Sequence, residues 1–178
     1  MVHNGFVKAT LEIINRMQAD GVIESYAIGG AVGATFYLAP AATVDLDLFV
    51  TLPGDSGLLV SLSPIYEYLK SRGGIEQDEY IVVKDWPVQF LTPGSTLQKE
   101  AVKQAISTTV EGVPTRVISA EHLVAIALET GRAKDHTRIL QFFEQRVIDR
   151  QRLEDIVERH GLSARWIQFE QRFLKESQ

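Results

Sequence analysis

The stretch from Tyr26 to Val50, YAIGGAVGATFYLAPAATVDLDLFV, places two adjacent glycines ahead of two aspartates that are separated by one residue. From Thr43 to Val50, side chains alternate strictly in character, which predicts a β-strand with one buried face. The apolar face carries Val44, Leu46, Leu48 and Val50, and the opposite face carries Thr43, Asp45, Asp47 and Phe49. Because carboxylates are costly to bury, a strand that carries two of them needs a compensating partner.

A divalent cation is one such partner for Asp45 and Asp47. Residues i and i+2 of a strand point to the same side with their Cα atoms about 6.5 Å apart, so both carboxylates can reach one point. Two carboxylates side by side repel each other, and a hard cation with oxygen ligands, Mg²⁺ or Mn²⁺, removes that cost. One or two such ions support phosphoryl and nucleotidyl transfer. A solvated pair on an exposed sheet face is the alternative.

The glycine pair, Gly29 and Gly30, lies where a short strand, 26–28, gives way to a predicted helix, 31–38. Backbone amides at the start of a helix bind phosphate, and glycine lets the phosphate come close. Taken alone, the pair is also compatible with a tight turn that binds nothing. Strand, glycine pair, helix and aspartate strand in succession are more specific than any one part, and together they predict a phosphate beside a cation.

The remaining sequence predicts strands and helices around this unit. Helical spacing predicts helices at 5–19, 64–71, 97–105, 134–146, 150–160 and 163–176, with Ser119 as the N-cap of another. Tight-turn signals predict two strand pairs, with turns at Lys84-Asp85 and Glu111-Gly112. The predicted fold class is α/β (α+β), a mixed sheet flanked by helices. The predicted division is an α/β core at 1–118 and a helical C-terminal subdomain at 119–178.

Composition limits the functional classes. The 178 residues suit one domain, and the absence of cysteine excludes disulfides and thiolate metal sites. Without an apolar run near the roughly 20 residues that span a bilayer, and without a basic start followed by an apolar block, we expect a cytoplasmic protein that does not contact membrane. The formal charge of −5 argues against a broad DNA-binding surface. Residues 132–178 carry a basic excess that either meets a nucleotide or RNA or forms a solvated face.

The segments Ile28-Gly29-Gly30 and Thr43-Val44-Asp45-Leu46-Asp47-Leu48 resemble the signature of the nucleotidyltransferase superfamily, with the DNA polymerase β-like fold. More narrowly, the sequence is similar to the AbiEii-toxin-like nucleotidyltransferase families. The resemblance extends to VQFLTPG and SAEHLVAIALETGRAKDHTRIL and covers roughly residues 5–145. It implies a nucleotidyltransferase-like mixed sheet flanked by helices, with a helical C-terminal subdomain.

The resemblance also implies a reaction. Asp45 and Asp47 would hold Mg²⁺ (or Mn²⁺), and a nucleoside monophosphate would pass from an NTP to an acceptor, which is a small molecule, an RNA end or a protein hydroxyl. The glycine pair would contact the triphosphate. The further nucleotide-binding residues that it implies are Thr43, Arg132 and Lys134.

This sequence departs from the family pattern at three places, one of which is Ala41-Ala42, where relatives often carry a basic residue just before the threonine of the aspartate strand. Gln89 stands where the family's third carboxylate usually lies, and an amide offers a carbonyl oxygen but no negative charge and no general base. Ala127 stands where relatives often carry lysine. The sequence leans toward an enzyme. The alternative is a nucleotide-binding or partner-binding module of the same fold, with a protein partner as in a toxin–antitoxin pair.

A third hypothesis is a dinucleotide-binding enzyme, because GGAVGA loosely resembles the glycine fingerprint of such proteins. The glycine spacing differs from that fingerprint, and the chain shows no succession of βαβ units. The nucleotidyltransferase interpretation therefore accounts for more of the sequence.

Overall fold

The computed structural model describes residues 4–39, 45–54 and 60–175, with side chains from residue 7 onward. These ranges contain seven strands and eight helices, with a π-helical turn at the end. The strands are β1 (Ser25–Ile28), β2 (Leu46–Thr51), β3 (Ile75–Gln77), β4 (Tyr80–Val83), β5 (Trp86–Leu91), β6 (Ile106–Val110) and β7 (Val113–Val117). The helices are α1 (Asn4–Ala19), α2 (Gly30–Ala34), α3 (Ser63–Lys70), α4 (Thr96–Lys103), α5 (Ala120–Thr130), α6 (Ala133–Glu144), α7 (Arg150–Arg159), α8 (Ser163–Phe169) and the π-helical turn Glu170–Leu174.

The strands form one mixed sheet in the order β3-β4-β5-β2-β1-β7-β6. The central pair β1–β2 is antiparallel, whereas β2 pairs with β5, and β1 with β7, in parallel. The predicted α/β class with a mixed sheet flanked by helices is therefore confirmed.

Both predicted strand pairs are present, and their turns have the expected backbone. Lys84 and Asp85, between β4 and β5, have φ of 51° and 64°, and Glu111 and Gly112, between β6 and β7, have 50° and 82°. Two successive residues at positive φ match the right-handed twist of the flanking strands. Strand β3 was not predicted, because its three residues are all exposed and show no alternation.

The sheet separates two apolar cores. Leu46, Leu48 and Val50 face α1 and α3 on one side, as the alternation predicts. Phe49 faces the other side, where it packs with Ala27, Ile118 and the helices from α4 onward. Asp47 belongs to this second side, so the C-terminal helices cover the sheet next to it.

Two element boundaries differ from prediction. Strand β2 begins at Leu46, so Asp45 precedes the strand. Helix α2 ends at Ala34, whereas the sequence predicts an end at residue 38. Just after Ala34, the Thr35 hydroxyl donates to the Val32 carbonyl at 2.6 Å and competes with the backbone hydrogen bonds of a longer helix. The division at residue 118 stays a prediction. Across the described ranges, no helix is both long and apolar enough to cross a bilayer.

Candidate active site

The glycine pair and Asp47 are held against each other by the antiparallel β1–β2 ladder. The Gly29 amide donates to the Asp47 carbonyl at 2.9 Å, which continues the ladder beyond β1. Gly30 has φ of +57°, and a β-carbon there would collide with the Asp47 carboxylate. A β-carbon on Gly29 would lie 2.7 Å from the Phe49 ring. Only glycine fits at these two positions, because the side chains of β2 occupy the space above them.

The surroundings of Asp47 disfavour its ionised carboxylate. Burial first, and then the neighbouring Asp45 charge, raise its pKa to about 6. Arg138, Lys134 and Arg132 act in the opposite direction. The raised pKa means that these three cations do not fully compensate the loss of hydration and the repulsion between the two carboxylates.

The residue beside Asp47 on the next strand is Gln89, in the parallel register of β2 and β5. Cross-strand partners project from the same face of a sheet, so an acid at position 89 would stand next to the aspartate pair. The structure therefore places the Gln89 amide beside Asp47, where the family resemblance implies a third carboxylate. Tyr80 on β4 also lies near these residues. The charge of Asp45 is the main cause of the raised pKa of its phenol.

A cleft of about 240 Å³ opens above Asp47. It runs between the aspartate end of the sheet and helices α5 and α6. Its walls are formed by Gly30, Asp47, Phe49, Leu91, Thr92, Gln98, Leu123, Ile126, Ala127, Thr130, Arg132, Asp135 and Arg138. Carboxylate and guanidinium groups thus share one small space.

The segment that joins α5 and α6 shapes one wall of this cleft. Gly131, at φ 70°, ends α5, and Arg132 is the N-cap of α6. Asp135 accepts from Arg132 Nε at 2.8 Å, from its terminal nitrogen at 3.2 Å and from its backbone amide at 3.1 Å. Burial alone would raise the pKa of Asp135, but these hydrogen bonds outweigh it and lower the pKa. Asp135 therefore orients Arg132.

The structure brings most of the sequence-predicted site residues together. Gly30, Asp47 and Arg132 line the cleft, and Asp45 lies close enough for its charge to act on Asp47. Lys134 is exposed and outside the cleft wall, although its charge also acts on Asp47.

For two predicted residues the outcome differs. The Gly29 amide is engaged in the sheet, so its predicted contact with a nucleotide stays a prediction. Thr43 lies outside the residues that the structure describes.

Sequence reasoning missed Arg138, which lines the cleft from α6. A signal for it existed, because Arg138 follows Lys134 by four residues and Asp135 by three, and side chains at these spacings neighbour each other on a helix. Arg138 brings positive charge to the cleft, whereas Ala127 contributes an uncharged wall at the position where relatives often carry lysine.

The donor set fits a divalent cation that is completed by a nucleotide. Within the described ranges, no three His, Asp or Glu side chains come together as a metal-binding group. Mg²⁺ is usually held by one or two carboxylates plus substrate phosphates, without an all-protein cage. Asp45 and Asp47 supply such a pair, and the Gln89 amide oxygen is a neutral donor beside them.

No protein-family model and no curated protein sequence matches this chain. Solved structures do. An antigenic nucleotidyltransferase-like protein from Paracoccidioides brasiliensis is 15% identical, with a TM-score of 0.55 over 79% of this chain and 75% of that one. The antibiotic-resistance factor ANT(2'')-Ia in solution is 15% identical, with a TM-score of 0.52 over 93% and 96%. ANT(2'')-Ia in complex with adenylyl-2''-tobramycin is 14% identical, with a TM-score of 0.55 over 93% and 99%.

These likenesses establish the fold. The chain has the nucleotidyltransferase-like fold, as the resemblance of its glycine and aspartate segments implies. Identities of 14–15% show the fold alone, so membership of the superfamily stays a prediction. The narrower similarity to AbiEii-toxin-like families stays a prediction.

Proposed function

We propose that this protein is a metal-dependent nucleotidyltransferase that moves a nucleoside monophosphate from an NTP to an acceptor hydroxyl. The observation that supports the proposal is Asp47 beside Gly30 in a cleft that also holds Arg132 and Arg138, with the charge of Asp45 acting on Asp47. The fold supports it, and one structural neighbour is a complex with an adenylylated product, adenylyl-2''-tobramycin.

In this proposal Asp45 and Asp47 hold Mg²⁺ or Mn²⁺, and Gly30 leaves room for the triphosphate beside them. A bound divalent ion would orient the triphosphate and neutralise charge that develops on its oxygens. Arg132, fixed by Asp135, and Arg138 face the carboxylates across the cleft and bind phosphate oxygens. Lys134 adds positive potential from outside the cleft wall.

The proposed transfer forms a bond between the acceptor oxygen and the α-phosphorus of the NTP. The bond from that phosphorus to the bridging oxygen breaks, and pyrophosphate leaves with the electron pair. The acceptor proton passes to solvent water, because Gln89 has no basic atom at the position beside Asp47. A slow reaction is the expected consequence, since a positioned base typically contributes about 10²–10⁴-fold.

The test is incubation with each NTP, labelled at the α-phosphate, together with Mg²⁺ or Mn²⁺ and candidate acceptors. We expect label transfer that requires the divalent ion and is lost in Asp45→Asn and in Asp47→Asn. Asp155→Asn, an exposed carboxylate on α7, is the matched control and should transfer normally. Arg138→Gln should weaken NTP binding. Transfer that survives both aspartate changes would contradict the proposal.

Gln89 favours a second candidate function. A module that binds NTP through the same residues but transfers nothing needs no third carboxylate, and a protein partner would then read its nucleotide state, as in a toxin–antitoxin pair. Equilibrium binding separates the two functions. Metal-dependent NTP binding without transfer to any acceptor identifies the module.

The acceptor and the cytoplasmic location remain proposals, and a small-molecule acceptor is the one that the neighbour with bound adenylyl-2''-tobramycin favours.

A further inference from the structure

A second pocket, of about 360 Å³, adjoins the cleft. Thr130 lines both spaces, so the end of α5 separates them. We call it the arginine–aromatic pocket after the side chains that define it, which are His136, Arg165, Gln168, Phe169, Arg172 and Phe173. Its volume is that of a small-molecule site, for which roughly 300–1,000 Å³ is usual.

Three rings form one wall of the arginine–aromatic pocket. The centroids of Phe169 and Phe173 are 4.9 Å apart, and the His136 ring lies 5.6 Å and 5.5 Å from them. Phe169 is buried, while Phe173 and His136 are half-buried and reach the pocket surface. A partly exposed group of aromatic faces suits a planar ligand, since base–aromatic stacking contributes about 1–3 kcal/mol per base.

Two exposed arginines give the pocket its charge. Arg165 donates to the Glu129 carbonyl at 2.6 Å, and the Arg172 guanidinium carbon lies 5.1 Å from the centroid of the Phe173 ring. Among the residues that the structure describes, neither guanidinium forms an ion pair with a carboxylate, unlike Arg132. Uncompensated guanidinium groups attract anions and match the geometry of phosphate. The same charge disfavours an acceptor that carries several amines.

We propose that the arginine–aromatic pocket binds a nucleoside phosphate, with the base against Phe173 and the phosphate on Arg172 and Arg165. Binding of this ligand does not depend on the proposed function. The role of the pocket as the acceptor site of the transfer does rest on the proposed function. The shared wall at Thr130 places this ligand next to the NTP in the cleft. The ligand comes either as a free nucleotide or as the terminal nucleotide of an RNA strand.

The protein contains a reporter for this pocket. Trp166 stacks on Phe169, with ring centroids 6.0 Å apart and an interplanar angle of 12°. The chain has two tryptophans, and the other, Trp86, lies on β5. A Trp86→Phe background therefore leaves one tryptophan, which lies behind the pocket wall and can be excited selectively.

The test is a titration of Trp166 fluorescence in that background, without divalent ions, using a nucleoside monophosphate and a short single-stranded RNA. We expect a saturable change in fluorescence. Arg172→Gln should lower the affinity by about tenfold or more, because a charge-assisted hydrogen bond to the phosphate is lost. Arg16→Gln, an exposed arginine on α1, is the matched control and should leave affinity within about twofold. If the nucleoside monophosphate and the RNA bind with equal affinity, the ligand is the free nucleotide. If the RNA binds about tenfold more tightly, the ligand is the terminal nucleotide of a strand.

The proposal is overturned if neither ligand produces a saturable change, if Arg172→Gln binds like the control, or if an aminoglycoside binds more tightly than both nucleotides. Asp47→Asn should keep this binding, because Asp47 belongs to the cleft and not to the second pocket. Absence of NTP transfer by the wild-type protein, alongside intact fluorescence binding, would therefore count against the proposed function alone.

Discussion

Replacing Asp47 by asparagine should stabilise the protein in the absence of divalent ions. Burial and the Asp45 charge raise the pKa of Asp47 to about 6 from its ordinary 3.8. The protonated carboxyl is therefore favoured in the folded state. The stability it provides is fully present below the unfolded pKa and is lost as the pH rises through about 6. Asparagine imitates the neutral carboxyl at every pH. The variant therefore keeps, above pH 6, the stability that the wild type loses.

The expected size follows from that difference in pKa. At about 1.4 kcal/mol per pKa unit, the free energy of unfolding of Asp47→Asn should exceed that of the wild type by about 3 kcal/mol near pH 7.5. A domain of this length gains roughly 2–4 °C in Tm per kcal/mol, so thermal unfolding should shift upward by about 6–12 °C. Near pH 4 the difference should shrink below about 1 kcal/mol.

The assay is thermal unfolding followed by circular dichroism at both pH values, with and without Mg²⁺. At ten times its Kd, Mg²⁺ should add about 1.4 kcal/mol to the wild type and nothing to Asp47→Asn. Glu12→Gln, an exposed carboxylate on α1, should change Tm little at either pH. A lower Tm for Asp47→Asn near pH 7.5, or a difference of equal size at both pH values, would refute the reasoning.

Three further predictions concern Gly30, Gln89 and the ion pair between Glu100 and Arg159. Gly30→Ala and Gly21→Ala share the left-handed cost of about 1–2 kcal/mol, but only at residue 30 would the β-carbon meet a carboxylate, so its loss in Tm should be larger. Gln89→Glu should lower the metal-free Tm and enlarge the rise in Tm caused by Mg²⁺; an unchanged rise would argue that position 89 does not correspond to the family's third carboxylate. Glu100→Gln should lower Tm at neutral pH, because hydrogen bonding chiefly from Arg159 lowers the Glu100 pKa to about 2, and this deficit should disappear as pH falls from about 4.5 toward 2 in a Tm–pH series.

The glycine–aspartate unit could be predicted because its signals are local. Alternation from Leu46 to Val50 fixes which face is buried whatever the strand's neighbours are. Two-residue turns such as Lys84-Asp85 have a backbone preference of their own, and so does the N-cap at Ser119, whose hydroxyl accepts from the His122 amide.

The cleft itself could not be predicted, because it depends on packing between distant segments. Arg138 lines the cleft only because α6 folds back over the second side of the sheet, and a single sequence does not show that docking. The register that sets Gln89 beside Asp47 is likewise a long-range pairing, and here the resemblance supplied what periodicity could not. The arginine–aromatic pocket needs α5, α6, α8 and the π-helical turn together, so its residues showed no common pattern in the sequence.

The central claim is that Asp45 and Asp47 together hold a divalent ion that faces a nucleotide. The most direct measurement is anomalous diffraction from crystals soaked with Mn²⁺ and a non-hydrolysable NTP. The account predicts a manganese peak within about 2.2 Å of oxygens from both carboxylates, with the triphosphate on its cleft side toward Arg138. Manganese elsewhere, or a nucleotide bound with both carboxylates turned away from the ion, would contradict it.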